Sequence, residues 1–126
     1  MKLGELETLI LKLIWESGGG SVKDVYNRVK PLRALTQNTV QSTLERLYRK
    51  GLLTRKKQGH AFIYASKLTK EQLTAQLLTQ LMAEFDSDPS MTIAAFVEQN
   101  QAISDEKMQQ LRQLVNALKA QESGDA

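Results

Sequence analysis

The chain of 126 residues contains 17 Lys and Arg, 14 Asp and Glu, and no Cys, which gives a net charge of +3. This length predicts one domain or two small lobes, and the lack of Cys excludes disulfides and thiolate metal sites, as suits a cytoplasmic protein. No apolar run approaches the length of about 18 residues that a membrane-spanning helix needs, so no membrane insertion is expected.

Charge is distributed unevenly along the chain. Residues 1–69 contain 13 Lys and Arg against 5 Asp and Glu, a balance of +8, whereas residues 70–126 contain 4 against 9, a balance of −5. Such asymmetry predicts that the first half meets a polyanion and that the second half has another role. The alternative is a solvated basic face without a partner.

Two amphipathic helices are predicted at the start of the chain. Gly4, with Glu7 three residues later, can begin the first helix, and a glycine-rich stretch ends it. Ser21 begins the second helix in a capping-box arrangement with Asp24, and Pro31 ends it. Apolar side chains recur at helical spacing on one face of each helix: Leu6, Leu9, Ile10, Leu13 and Ile14 in the first, and Val22, Val25, Tyr26 and Val29 in the second.

A third helix is predicted over residues 36–50, with Thr36 as its N-cap and Gly51 just past its C-terminus. Its apolar face, predicted to point to the core, consists of Val40, Leu44, Leu47 and Tyr48. The opposite face is unusual because neutral polar side chains occupy its first half and arginines its second half. This face contains Asn38, Ser42, Glu45 and Arg49, with Gln41 and Arg46 at its flanks.

After the third helix the periodicity changes to two short β-prone segments, LLTRKK and AFIYAS. They are joined by a short turn in which Gly59 can adopt the positive φ that a hairpin needs. Phe62 and Tyr64 are expected to pin this ribbon to the helices, and Trp15 is expected in the core or at a junction between lobes. Three helices followed by a two-stranded ribbon predict a winged helix-turn-helix DNA-binding domain over residues 1–68.

Residues 69–120 predict three further helices, which would form a C-terminal helical dimerisation domain. Ser104 is the predicted N-cap of the last helix, with Ile103 and Met108 at the hydrophobic-staple positions. The polar tail 121–126 is expected to be disordered. The predicted fold class is therefore mainly α with a small β-hairpin.

The apolar faces of the C-terminal helices predict self-association. A segment of about 55 residues cannot easily bury three such faces by itself. Two copies could bury each other's faces and would then form a two-fold symmetric dimer that binds a palindromic DNA site. The alternative is a monomer in which these faces pack on the N-terminal lobe. The predicted dimerisation residues are Leu73, Leu77, Leu81, Phe85, Phe96, Met108, Leu111, Val115 and Leu118.

The polar face of the third helix fits a DNA major groove, because base edges present neutral donors and acceptors and phosphates flank the groove. A solvated polar face is the alternative, and charges that protect an exposed strand edge are the alternative for the ribbon. Arg46 and Arg49 are ambiguous, since either could reach guanine or only phosphate. The predicted base-reading residues are Asn38, Gln41, Ser42 and Gln37. The predicted phosphate contacts are Thr39, Arg46, Arg49, Arg55, Lys56, Lys57 and His60.

The residue pattern predicts neither an enzyme nor a metal or cofactor site. His60 is the only histidine, so it cannot build a catalytic triad or a zinc site by itself. No paired carboxylates accompany a nucleophile.

Over residues 3–118 the chain resembles the BlaI/MecI family of bacterial penicillinase and methicillin-resistance repressors. The resemblance lies in the order and spacing of three segments, LGELETLILKLIWESGGGSVKDVY, TQNTVQSTLERLYRKGLLTRKKQGHAFIY and AAFVEQNQAISDEKMQQLRQLV. It implies a dimeric winged-helix repressor that binds a dyad operator, often over genes for β-lactam resistance.

Two departures from the family pattern limit what this resemblance implies. Staphylococcal-type members are inactivated by cleavage of an Asn-Phe bond, which a membrane sensor with a cytoplasmic zinc peptidase triggers. The matching position here is Ala95-Phe96, so the Asn is absent. Copper-responsive relatives carry C-terminal paired cysteines, which this chain lacks, so copper sensing by that route is excluded.

Together these features predict a homodimeric, sequence-specific repressor. Release by proteolysis of its C-terminal lobe, triggered by a membrane sensor peptidase, is implied by the resemblance alone, and the Asn of the cleaved bond is replaced here by Ala95. One rival is a winged-helix regulator that senses a small molecule in a pocket lined by Met82, Phe85 and Phe96. Another rival is a winged helix used only for protein interaction, which would lack steeply salt-dependent DNA binding.

Overall fold

The structure is a computed structural model that describes residues 1–100 and 105–124, without the side chains of 115, 118, 119 and 121–124. Eight elements follow one another in this part of the chain: α1 (Glu5–Ser17), α2 (Val22–Val29), α3 (Gln37–Arg49), β1 (Leu53–Gln58), β2 (Ala61–Ser66), α4 (Lys70–Glu84), α5 (Pro89–Gln99) and α6 (Asp105–Gly124). The predicted fold class, mainly α with one hairpin in a winged-helix arrangement, is confirmed. Within the described ranges no helix has the length and apolar character to cross a membrane.

The chain divides into two compact units, Met1–Leu77 and Leu78–Ala126. The first unit thus extends past residue 68, where the sequence placed the end of the winged-helix domain. Leu73 in the first half of α4 accounts for this difference, because it is only 4% exposed within the core of the first unit.

The helix termini of the first unit form where capping residues stand in the sequence. The hydroxyl of Ser21 accepts a hydrogen bond from the backbone N–H of Asp24 (3.1 Å), and Asp24 accepts one in return from the N–H of Ser21 (3.0 Å). Thr36 caps α3 in the same way, since its hydroxyl accepts from the N–H of Thr39 at 3.2 Å. These caps satisfy N–H groups that have no partner inside a helix and so fix where each helix begins.

One hydrophobic core unites the elements of the first unit. Leu11 belongs to it although the predicted apolar face of α1 did not include it, while Leu6, Leu9 and Leu13 of that face are only half-buried. Thr43 is also fully buried, and its hydroxyl donates to the carbonyl of Thr39 at 2.8 Å. The buried apolar residues are Ile10, Leu11, Ile14, Val25, Val29, Val40, Leu44, Leu47, Leu52, Leu53, Tyr64 and Leu73.

Tyr48, which was predicted to point to the core, is exposed instead, and Phe62, one of the two residues predicted to pin the hairpin to the helices, is also exposed. Tyr48 on α3 and Phe62 on β2 are each 39% exposed, whereas Tyr64 is buried as predicted. The physical reason is a guanidinium group that both rings cover, described below with the candidate site.

The antiparallel hairpin, here called the wing, pairs Leu53 with Ser66 at its root and Gln58 with Ala61 at its tip. Gly59, the first residue of the two-residue turn, has a φ of +64°, as in type II′ hairpin turns. A third backbone segment extends this sheet by one residue. Gly20 donates to the carbonyl of Tyr64 (2.9 Å) and accepts from its N–H (2.8 Å), so the loop after α1 is fastened to β2.

The helices of the second unit leave their apolar side chains largely uncovered, and none of its described side chains is buried. Asp88 caps α5 by accepting from the N–H of Met91 at 2.9 Å, and Pro89 occupies the first turn. The backbone of α6 is helical through Gly124, and the expected disorder of the tail 121–126 stays a prediction. The predicted cap Ser104 and staple residue Ile103 lie outside the described residues.

Candidate nucleic-acid interface

The exposed face of α3 carries the neutral polar residues that the sequence assigned to base reading. Gln37, Asn38, Gln41 and Ser42 are all exposed, because the apolar residues on the opposite side of the helix anchor it in the core. Since Thr36 is the N-cap, Gln37 and Asn38 occupy the first turn. In winged and other helix-turn-helix proteins this end of the recognition helix approaches base edges.

The side-chain amides on this face are free to recognise another molecule. Those of Gln37, Asn38 and Gln41 make no hydrogen bond within the described part of the chain. Ser42 donates its hydroxyl proton to the carbonyl of Asn38 at 3.0 Å, which leaves the hydroxyl oxygen able to accept. Thr39 shares a 2.9 Å hydrogen bond with the hydroxyl of Thr36, so its side chain is already held at the helix start.

Arg46 and Arg49, the ambiguous cations, have different surroundings. The Nη2 of Arg46 donates to the hydroxyl of the buried Thr43 at 3.2 Å, which directs the guanidinium back along α3. Arg49 approaches Glu45 only at 3.9 Å, and its side chain is 77% exposed. Arg46 is therefore the better ordered of the two, and Arg49 is the more accessible.

Lys50, the cation at the end of α3, is committed to an intramolecular contact. Its Nζ lies 2.6 Å from Oε2 of Glu7 on α1 and donates to the carbonyl of Lys2 at 2.9 Å. Burial raises the pKa of Glu7, but the hydrogen bonds from Lys50 and from the N–H of Gly4, with the nearby charges of Lys50 and Arg46, outweigh burial and lower it overall. Local patterns gave no sign of this pair, because its members are 43 positions apart.

The wing carries the remaining predicted phosphate contacts. Lys56, Lys57 and His60 are exposed. Because Lys56 and Lys57 are consecutive residues of β1, their side chains point to opposite faces of the ribbon. Arg55 differs from them, since its guanidinium carbon lies 4.1 Å from the centroid of the Tyr48 ring and 4.3 Å from that of Phe62.

Trp15 joins the root of the wing to the start of α4. Its indole Nε1 donates to the hydroxyl of Ser66 (2.8 Å) and to the carbonyl of Leu68 (2.9 Å), and its ring packs against the core. This placement agrees with the role in the core or at a junction expected from the sequence.

The predicted dimerisation residues fall into three groups. Leu73 is buried in the first unit and Leu77 packs half-buried against the same core, so both already have apolar neighbours within one copy. Leu81, Phe85 and Phe96 are each more than half exposed, and Met108 and Leu111 are half-buried. The side chains of Val115 and Leu118 lie outside the described residues.

A groove of about 420 Å³ lies between α5 and α6 within the second unit. None of Met82, Phe85 and Phe96, the predicted lining of a small-molecule pocket, borders it. Its lining is Ser90, Ile93, Ala94, Val97, Met108, Leu111, Arg112 and Asn116. Among the described residues no group of three or more His, Cys, Asp or Glu side chains could hold a metal ion.

Comparison with known proteins gives a match over almost the whole chain. A family described as "Penicillinase repressor" matches residues 3–117. The "Transcriptional regulator BlaI" of Mycobacterium tuberculosis is 26% identical over 120 residues, which cover 94% of this chain and 86% of that protein. The "Penicillinase repressor" of Bacillus licheniformis is 20% identical over 114 residues, 90% of this chain and 89% of that one.

Among solved structures, the solution structure of the DNA-binding domain of the repressor BlaI is similar with a TM-score of 0.51. It is 25% identical, and the match covers 55% of this chain and 84% of that one.

Proposed function

Because the chain belongs to the penicillinase repressor family, we propose that it is a transcriptional repressor that binds a two-fold symmetric DNA operator as a homodimer. The exposed face of α3 is the observation on which this proposal mainly depends. Free amides in its first turns and cations toward its end match the major groove, where bases present neutral groups and phosphates lie alongside.

In this proposal Asn38 and Gln41 read bases, with Gln37 and Ser42 beside them. A side-chain amide can donate and accept at once, so an Asn or Gln can bind adenine through two hydrogen bonds. The lack of intramolecular partners for the amides supports this role, because no existing hydrogen bond has to be broken when DNA binds. Arg49 and Arg46 contact phosphates or a guanine at the far end of the helix.

The wing supplies contacts that do not depend on sequence. Lys56, Lys57 and His60 are exposed at or near its tip, and cations on a projecting hairpin lie well for the phosphate backbone. Each phosphate contact releases counterions, so the logarithm of the binding constant should fall by about 0.9 per contact for each unit of log salt concentration.

The second unit is the proposed dimerisation unit. Among the described side chains of this unit, six large apolar ones are more than half exposed: Leu78, Leu81, Phe85, Met91, Phe96 and Leu114. Burial of such a set against a second copy would remove apolar surface from water and stabilise the pair. Dimerisation would link two half-site contacts, and the linkage raises overall affinity far above that of one protomer.

Relief of repression by proteolysis stays a prediction. The Ala95-Phe96 bond lies inside α5, and the carbonyl of Phe96 accepts hydrogen bonds from Asn100 through both its N–H (3.1 Å) and its side chain (2.7 Å). A peptidase would have to unwind this turn before it could bind an extended segment. A membrane sensor peptidase and control of β-lactam-resistance genes are predicted from the family resemblance alone.

Binding of the full-length protein to labelled duplexes, measured at several salt concentrations together with sedimentation of the free protein, tests the proposal. We expect a dimer at micromolar concentration and a steep decrease in affinity as salt rises. A monomer whose binding to DNA does not respond to salt would refute it and would favour a winged helix used only for protein interaction.

A further inference from the structure

Arg55, in the middle of β1, contacts two aromatic rings, and we call Tyr48, Arg55 and Phe62 the Arg55 stack. The distances of 4.1 Å and 4.3 Å from the guanidinium carbon to the two ring centroids are those of cation–π contacts. Tyr48 belongs to the last turns of α3 and Phe62 to β2. One side chain therefore touches both the recognition helix and the far strand of the wing.

The Arg55 stack is anchored to the buried part of the sheet. Arg55 pairs with Tyr64 across the strands, and Phe62 is its diagonal neighbour on the same face of the ribbon. The rings of Phe62 and Tyr64 meet edge to face at 6.5 Å, and Tyr64 is held by the backbone pairing with Gly20. The contacts thus run without a break from the core to the residue pair next to the wing tip.

The stack requires the planar guanidinium of an arginine. A guanidinium is planar, weakly hydrated and stacks on aromatic rings, whereas the ammonium of a lysine is a compact, strongly hydrated point charge. This arrangement also explains why Tyr48 and Phe62 are partly exposed, since they cover a side chain that itself lies at the surface. Within the described ranges Arg55 has no acidic partner.

We propose that Arg55 is a positioning residue that fixes the angle between the wing and α3 through its contacts with Tyr48 and Phe62. The inference rests on the proposed function and refines it, because the sequence had assigned Arg55 to phosphate. The stack holds Lys56 and Lys57 against the DNA backbone while Asn38 and Gln41 meet the bases. Removal of either ring releases the wing without changing the charge of the protein.

The replacement Tyr48→Leu tests this role in the full-length protein. It removes no charge, yet we expect the slope of the logarithm of the binding constant against the logarithm of salt concentration to become shallower by about 2 per protomer, the contribution of two lysine contacts. Affinity for DNA at 0.1 M salt should fall about tenfold. In wild type, the double replacement Lys56→Ala and Lys57→Ala should weaken binding similarly. In the Tyr48→Leu background the same lysine replacements should change affinity less than twofold.

Controls separate this inference from the proposed function. Tyr48→Phe keeps the ring and should bind DNA as wild type does. Phe62→Leu should reproduce the loss of affinity and of salt dependence seen with Tyr48→Leu. Trp15 fluorescence during urea unfolding verifies that each variant folds. Equal effects of the lysine replacements in both backgrounds would overturn the positioning role and leave the proposed function intact. If the lysine replacements had no effect in wild type, the wing lysines would make no phosphate contacts, and the inference would fail for that reason.

Discussion

Lys50 is the C-cap residue of α3, and its ammonium group lies 2.6 Å from the carboxylate of Glu7 in the first turns of α1. The side chain of Glu7 is largely buried, with an exposed fraction of 12%, whereas that of Lys50 is partly exposed at 30%. The pair therefore connects the end of the candidate recognition helix to the first helix of the chain.

The replacement Glu7→Gln should lower the free energy of unfolding by about 2 kcal/mol at pH 7, because it removes the buried negative charge that pairs with Lys50 and weakens the hydrogen bond between them. Urea unfolding followed by the fluorescence of Trp15, the only tryptophan, measures this change. Glu5→Gln is the matched control, since Glu5 pairs with Arg33 at 3.2 Å but is 88% exposed. A surface pair of this kind contributes less than about 1 kcal/mol.

The effect of Glu7 should also depend on pH. The pKa of Glu7 in the folded protein is lowered from the ordinary value of 4.5, so its contribution is fully present above that value and is lost as the pH falls through the lowered pKa. The difference in unfolding free energy between wild type and Glu7→Gln should shrink between pH 7 and pH 3. A difference that stays constant over this range would show that the Lys50 contact does not set the ionisation of Glu7.

The replacement Gly19→Ala should disrupt the pairing of the loop after α1 with the wing. A Cβ atom at Gly19 would lie 2.2 Å from the carbonyl oxygen of Tyr64, and the residue has a φ of +116°. We expect a loss of about 3 kcal/mol or more in unfolding free energy, from the clash and the unfavourable backbone together. Gly18→Ala is the control: its φ is +85° and its Cβ would meet nothing within 4 Å, so it should cost only about 1 kcal/mol.

Local patterns were sufficient to predict the elements of the first unit. The caps at Ser21 and Thr36 and the glycine at the wing turn lie where the helices and hairpin begin and turn. Apolar periodicity identified most of the core, because burial of one helix face repeats every three to four residues. The exposed polar face of α3 followed from the same periodicity.

Contacts between distant segments could not be predicted in this way. Three contacts depend on elements that approach only in the folded chain: the bridge from Gly20 to Tyr64, the Lys50–Glu7 pair and the contact of Arg55 with two rings. Tyr48 was misplaced for that reason. Its position on α3 is that of the apolar face, but its ring covers the guanidinium group of Arg55 from the wing. The burial of Leu73 in the core of the first unit was likewise not predicted, because periodicity does not say which neighbour an apolar face meets.

Replacement of Phe85 by Ser should weaken self-association. Phe85 is 74% exposed in one copy, so the folding of the protomer should hardly change, whereas a buried Phe in the dimer would contribute about 1.5–3 kcal/mol. Sedimentation equilibrium should show a dimer dissociation constant raised tenfold or more. Leu32→Ser, at a 58% exposed residue of the first unit, is the control and should leave this constant unchanged. Equal behaviour of the two variants would place the dimer interface elsewhere.

The central claim, that the polar face of α3 reads bases in two symmetric copies, is tested most directly by selection of bound duplexes from a random pool. We expect wild type to enrich a two-fold symmetric sequence with half-sites about one helical turn, or a multiple of it, apart. Asn38→Ala should lose preference at one position of each half-site, by about 1–3 kcal/mol per base pair, and Asn27→Ala, an exposed asparagine on α2, should not. The claim would be contradicted if wild type enriched no sequence, or if Asn38→Ala enriched the same sequence as wild type.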